Sequence, residues 1–268
     1  MKELSLQELK KIEFETLKMF RDFCDENGID YFLSNGTLLG AVKYKGFIPW
    51  DDDVDIFIPR EDYDKALRLF KDNEKYKLFA FEREENYRYP FAKLCDMTTR
   101  KIEGSYNNGV ELGVDIDIFP LDTWNNNLAK AKKEVKQMNL YRFCLGLTKL
   151  ENSDSHNIVK RVIKAIVMVF CKLFGSKFFI RWMIKLSQNE QTGTSRYLGC
   201  KSWCIYGERE IIPAEVFADT VEVEFEGEKF KAPIGYDTYL RSLYGDYEKD
   251  PPLEKQKTHH TFTAYKIT

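Results

Sequence analysis

Leu4, Leu6, Leu9, Ile12, Phe14, Leu17 and Phe20 recur at three- to four-residue spacing, which predicts a helix over 5–27. The period then changes. Ile29-Asp30-Tyr31-Phe32-Leu33 suits a pleated, half-buried surface and predicts a strand over 30–34. Small residues at 34–37 turn the chain into a helix over 37–43, and a strand follows over 53–58. Pro59-Arg60-Glu61-Asp62 opens a helix over 61–73, after which strands are predicted over 76–82, 90–96, 100–104 and 113–118. Near the end, Glu226-Gly227-Glu228 joins a hairpin of 221–225 and 229–232, followed by a short helix over 236–243 and an extended tail. Helix–strand alternation that gives way to short strands predicts an α+β fold, a mixed sheet with flanking helices. At 268 residues the chain reads as a single domain. Its core spans 1–124, is interrupted by a helical insertion over 125–195, and resumes over 196–268.

The insertion differs in character. Between Asp154 and Glu190 there is no acid, whereas Lys160, Arg161, Lys164, Lys172, Lys177, Arg181 and Lys185 are basic and interleaved with large apolar residues. Its longest uncharged run, 165–171, is too short for the roughly 20 apolar residues that span a bilayer. A basic amphipathic helix pair over 157–187, lying on an anionic membrane surface, accounts for both the charge and the pattern.

Charge is most concentrated in Trp50-Asp51-Asp52-Asp53-Val54-Asp55, which runs into the apolar Ile56-Phe57-Ile58. Residues two apart in a strand share a face, so Asp53 and Asp55 are expected side by side. Adjacent carboxylates resist burial unless a cation lies between them. A hard divalent ion, Mg²⁺ or alternatively Mn²⁺, is the economical occupant, because it takes oxygen ligands and shares them with phosphate. Asp51 falls on the same face, and it and Asp52 are read as rim or supporting groups. Upstream, Gly36-Thr37 at a predicted helix start offers backbone N–H groups and a hydroxyl suited to phosphate. Downstream, 113–122 alternates again, with Asp115 and Asp117 on one face, and either acid would complete a three-carboxylate site.

Taken together, Gly36 to Tyr63 (GTLLGAVKYKGFIPWDDDVDIFIPREDY), Tyr89 to Leu94 and Asp117 to Asp122 resemble the LicD family, a branch related to the fukutins within the nucleotidyltransferase superfamily. The resemblance resumes at Ala232-Pro233, Tyr239-Leu240, Tyr244 to Tyr247, Pro251-Pro252 and His259-His260, leaving roughly 125–195 uncovered. It implies that Asp53 and Asp55 bind the metal and that Asp117, followed by Ile-Phe-Pro, is the third acid. It also implies Gly36 and Thr37 as the phosphate cradle and Lys93 as the cationic contact. His259 and His260 are candidates for phosphate or acceptor. Lys43, Lys45 and Arg60 are weaker candidates for the cationic contact, each more readily read as a solvated charge. Trp50, with Tyr87, Tyr89 and Phe91, is a candidate wall for a quaternary ammonium group. The implied reaction moves phosphocholine from CDP-choline to a sugar hydroxyl of a glycopolymer precursor, teichoic acid or lipooligosaccharide, carried on lipid, and releases CMP. Ribitol or glycerol phosphate from its CDP donor, or an NTP substrate, are the alternatives.

A net charge of −2 argues against a nucleic-acid-coating protein. Cysteines at 24, 95, 144, 171, 200 and 204 have no disulfide-framework spacing, and the N-terminus reads as a charged helix rather than a signal sequence. The expected setting is therefore cytoplasmic, on the inner face of the plasma membrane.

Overall fold

Ser5 starts the first helix with a reciprocal cap. Its hydroxyl accepts from the Glu8 N–H, and the Glu8 carboxylate accepts from the Ser5 N–H at 2.9 Å. The helix, α1 (Leu6–Asn27), ends at Gly28, whose φ of 58° lies in the left-handed region that glycine adopts freely. The computed structural model of the chain describes residues 1–103, 109–150, 158–188, 194–258 and 262–267.

A mixed sheet organises the molecule. Its first strands are β1 (Lys2–Glu3), β2 (Phe32–Leu33), β3 (Asp55–Pro59), β4 (Tyr76–Phe79), β5 (Ala92–Glu103) and β6 (Leu112–Thr123). The later ones are β7 (Tyr197–Gly199), β8 (Ile212–Pro213) and, after the separate hairpin β9 (Thr220–Phe225) and β10 (Glu228–Pro233), β11 (Phe262–Lys266). The main order is β1-β11-β5-β6-β3-β2, with β4 on β5 and the β7–β8 pair on the end of β6. Among the described residues, only the β3–β6 pairing of this sheet is parallel. Ile56, Ile58, Ile116 and Ile118 are fully buried in one cluster with Leu17 and Phe20 of α1. On the opposite face Phe57 meets Phe119, Phe217 and Tyr239 edge-on, with ring centroids about 6 Å apart.

The remaining helices are α2 (Asn35–Tyr44), α3 (Arg60–Leu69), α4 (Leu128–Lys149), α5 (Ile158–Phe174), α6 (Ser176–Ser187) and α7 (Tyr236–Tyr244). The α+β reading is borne out, with local corrections. The strand expected over 30–34 contracts to two residues, and α2 begins at Asn35 rather than 37. The helix expected to reach 73 stops at Leu69. The strands expected over 90–96 and 100–104 are one strand, whose register against β6 shifts between Asp96 and Lys101. An irregularity of this kind breaks alternation without breaking the strand, so the pattern divided what the fold joins. The expected single strand 113–118 continues to Thr123, because Phe119 and Leu121 are buried as well.

The insertion folds as α4, α5 and α6. Ala131, Val135 and Met138 of α4 pack with Met168, Cys171, Phe179, Ile180 and Met183 in a cluster of their own, which also contains Trp124 and Cys204.

Candidate active site

Asp55 opens β3, and three neighbours hold it. Its N–H donates to Thr37 Oγ1 at 2.8 Å, its carbonyl accepts from the Ser34 N–H at 3.0 Å, and its carboxylate is hydrogen-bonded by the Asn35 side chain. Asn35 is set in turn by Tyr239, whose hydroxyl donates to Asn35 Oδ1 at 2.9 Å. Asn35 has a φ of 45°, a left-handed geometry that asparagine tolerates better than most residues. The Asp117 N–H donates to the Val54 carbonyl at 2.8 Å, which ties the acidic loop to β6.

Register places the acids in a row. Lys93 on β5 faces Asp117 on β6, and Asp117 faces Asp55 on β3. In-register neighbours on adjacent strands project to the same side, so the three side chains share one face. Asp53 lies in the loop ahead of β3 rather than on the strand as expected. That loop is supported from α1, where Lys10 Nζ donates to the carbonyls of Ile48 and Pro49 at 2.9 and 3.1 Å. The carboxylate oxygens of Asp51, Asp52 and Asp53 come within 4.8 Å of one another. A Cβ on Gly36 would stand 2.6 Å from Asp51 Oδ2, so glycine is what allows Asp51 to lie against the start of α2.

The charges are poorly compensated. Burial, then the charges of Asp53 and Asp52, push Asp51 up to about 8. Burial, followed by Asp53, Asp117 and Asp51, raises Asp55 well above the carboxylate range. Burial also raises Asp117 to about 6 although Lys93 opposes it. Asp115 behaves differently: burial would raise it, but Lys101 and Lys93, at 3.1 and 2.7 Å, hold it down to about 2. Raised carboxylates on one face of a pocket are short of positive charge, and an all-oxygen donor set of this kind fits a hard divalent cation.

Asp51, Asp53 and Asp55 open onto a cleft of about 730 Å³, which Gly36 and Trp50 also line. Its far side is built from 205–206 and 244–257, contributing Tyr206, Tyr244, Tyr247, Lys249, Lys255 and Lys257. Of the expected contacts, Gly36 and Trp50 are therefore on the cleft. Thr37 is buried and its hydroxyl serves Asp55. Lys93 is buried between Asp115 and Asp117 and is not among the residues that line the cleft. Arg60, expected to be solvated, is buried in a two-pronged pair with Asp122 at 2.7 Å for each bond. Lys43 pairs with Asp250 at 2.5 Å. Tyr87, Tyr89 and Phe91 do not line the cleft, and Tyr87 and Phe91 are core residues. His259 and His260 lie outside the described residues.

Asn35 and Tyr206 carry no role in the sequence reading, and Tyr239 and Tyr244 enter it only as positions of the resemblance. The Asn-Gly step after a strand is a signal for the first. Nothing local gives the tyrosines a place at the site, because they reach it from about 170 to 200 positions along the chain.

Residues 28–149 match the family model described as the LicD/FKTN/FKRP nucleotidyltransferase domain. The lipopolysaccharide cholinephosphotransferase LicD of Haemophilus influenzae is 30% identical to this chain over 99% of both lengths. The chain belongs to the LicD family. It is a LicD-type transferase, and Asp51, Asp53 and Asp55 open onto its cleft. Two further relatives match the chain in part. An uncharacterised protein of Rickettsia typhi is 48% identical over 73 residues, covering 26% of this chain and 21% of its own. The mannosyltransferase regulator 4 of Saccharomyces cerevisiae is 32% identical over 103 residues, which is 38% of this chain and 8% of that protein. Similarity to the H. influenzae LicD protein extends through the α4–α6 insertion, which the motif resemblance alone did not reach.

Proposed function

We propose that the chain transfers phosphocholine from CDP-choline to a sugar hydroxyl of a cell-surface glycan precursor, releasing CMP. The observation that carries this is that Asp51, Asp53 and Asp55 open onto one cleft, with Asp117 in register beside Asp55, in a chain similar end to end to a lipopolysaccharide cholinephosphotransferase. Asp53, Asp55 and Asp117 would hold a divalent cation, Mg²⁺ or Mn²⁺, which supplies charge neutralisation for the donor's diphosphate. Lys249, Lys255 and Lys257, which line the cleft as Lys93 does not, are the cations we assign to the phosphate oxygens. The sugar oxygen bonds to the phosphorus that carries choline, the bond from that phosphorus to the CMP oxygen breaks, and the hydroxyl proton passes to a carboxylate of the cluster. Positioning and charge neutralisation account for most of such a transfer.

The acceptor is proposed to be lipid-linked and met at an anionic membrane face. On α5 and α6, Phe170, Leu173 and Phe174 are 60, 78 and 59% exposed, beside exposed Lys172 and Lys185. No helix among the described residues is long and apolar enough to cross a membrane, so this face would lie on the surface.

The direct test is product analysis with purified protein, CDP-choline and a de-cholinated glycan. CMP and a phosphocholine-bearing glycan are expected. Release of pyrophosphate from CTP instead would replace this reading with nucleotidyl transfer, and turnover of CDP-ribitol or CDP-glycerol alone would change the head group.

A further inference from the structure

We infer that Trp50, Tyr206 and Tyr244 form a subsite for a quaternary ammonium head group, placed beside the acids of the cleft. The inference rests on the donor reading above and deepens it. A trimethylammonium group has no N–H to donate, so hydrogen bonds cannot select it. Aromatic faces and a negative surrounding field can.

All three side chains line the cleft that Asp51, Asp53 and Asp55 open onto. They belong to perpendicular ring pairs: Tyr44 with Trp50, centroids 6.2 Å apart at 78°, and Tyr206 with Tyr244, 5.3 Å apart at 79°. Perpendicular rings make corners, which suit a compact tetrahedral cation. A planar base is better served by a flat slot. The Tyr206 and Tyr244 hydroxyls lie 2.9 Å apart and share a hydrogen bond, which holds the two rings together.

Cations already seated on nearby rings narrow the choice. Lys43 Nζ lies 5.4 Å from the centroid of Tyr44, so that ring is engaged. Arg209 lies 5.5 Å from Tyr206 but does not line the cleft, so Tyr206 turns a different surface toward it. Position fits the chemistry as well. Asp55 and Asp53 are among the charges acting on Tyr206, and Asp55 also acts on Tyr244. Choline carries its ammonium on a two-carbon bridge from the phosphate ester. A head-group subsite must therefore adjoin the acids that would hold the phosphate-bound cation, and these rings line the same cleft as Asp53 and Asp55.

The test compares kcat/KM for CDP-choline and CDP-ethanolamine in the wild type and in Trp50→Leu, Tyr244→Leu and Trp50→Phe. The wild type should prefer choline. Each leucine variant should lose about tenfold of that preference, the scale of one cation–π contact, while Trp50→Phe retains most of it. Inhibition by CMP should be unchanged throughout. If CMP weakens in step with CDP-choline, the wall stacks cytosine and the subsite is overturned, as it is if the leucine variants keep the full preference. Calorimetry with phosphocholine against phosphoethanolamine separates this from the donor reading. A choline preference abolished by Trp50→Leu upholds the subsite even where no CDP donor turns over. The absence of any preference in the wild type overturns it.

Discussion

Lys93 and Arg60 are buried cations that a sequence presents as candidates for phosphate, and each is already committed to carboxylates. Arg60 and Asp122 make two 2.7 Å bonds, and Asp122 is completely buried. Removing one partner leaves an uncompensated charge in the core, so Arg60→Ala should cost about 3–5 kcal/mol in urea denaturation. The paired apolar replacement, Arg60→Leu with Asp122→Leu, should recover most of it. If Arg60→Ala keeps wild-type stability and only raises KM, Arg60 is a substrate contact after all. The acid cluster predicts the reverse pattern. Asp53 adds to the repulsion felt by Asp51 and Asp55, so Asp53→Asn should not lower Tm. The same variant should lose at least about a hundredfold in CMP release. EDTA should silence the wild type, and added Mg²⁺ or Mn²⁺ should restore it. Activity that survives chelation would remove the metal from the reaction.

Elements explain which of these commitments could be read in advance. The D-x-D run, the Gly-Thr turn and the second acidic strand were legible because each is local and breaks an otherwise apolar alternation. What joins them was not. Thr37 reads as a phosphate ligand until the N–H of Asp55, eighteen residues later, is found on its hydroxyl at 2.8 Å. Lys93 reads as a free cation until cross-strand register sets it opposite Asp117. Register depends on pairing between segments, which periodicity within one segment does not carry. The start of α2 gives a test at this scale. Gly36→Ala favours the helix by propensity, yet its Cβ would fall 2.6 Å from the Asp51 carboxylate. Thermal stability should stay near the wild type while CMP release falls about tenfold or more, because Asp51 must move. Unchanged activity would show that the Asp51 position is immaterial.

At the scale of the whole molecule, folding stability should carry the imprint of Glu210. Burial, opposed by hydrogen bonds from the Tyr206 and Cys200 backbone, pushes this carboxyl up from 4.5 to about 8. The folded chain therefore keeps a proton that the unfolded chain releases near 4.5. The stabilisation is complete below that pH and is lost as pH rises toward 8, at up to about 1.4 kcal/mol per unit. Glu210→Gln keeps an acceptor for the Tyr206 N–H, which bonds Oε1 at 3.2 Å, and removes the titration. Its stability relative to the wild type should climb between pH 5 and 8.5 in paired urea titrations. A pH-independent difference would place the Glu210 titration elsewhere.

The insertion joins the catalytic unit to its surroundings through two faces of the same helices. Met168, Cys171, Ile180 and Met183 pack inward in one cluster with Ala131, Val135 and Met138 of α4. Ile166, Val169, Phe170, Leu173 and Phe174 remain exposed at the three- to four-residue spacing that gathers them on one face of α5. Side chains at 158–163, including Lys160 and Arg161, lie outside the described ones, so the test uses residues beyond them. Co-sedimentation with vesicles containing phosphatidylglycerol should exceed that with phosphatidylcholine alone and fall with salt, because each lysine near an anionic surface contributes roughly 1 kcal/mol. Phe170→Ser with Leu173→Ser should abolish vesicle binding without lowering Tm, since both side chains are exposed in the folded chain. Lys172→Glu with Lys185→Glu should remove the preference for anionic lipid while leaving turnover of a soluble acceptor intact. Vesicle binding indifferent to both pairs of substitutions would assign this face to a protein partner and leave the membrane without a contact on α5 and α6.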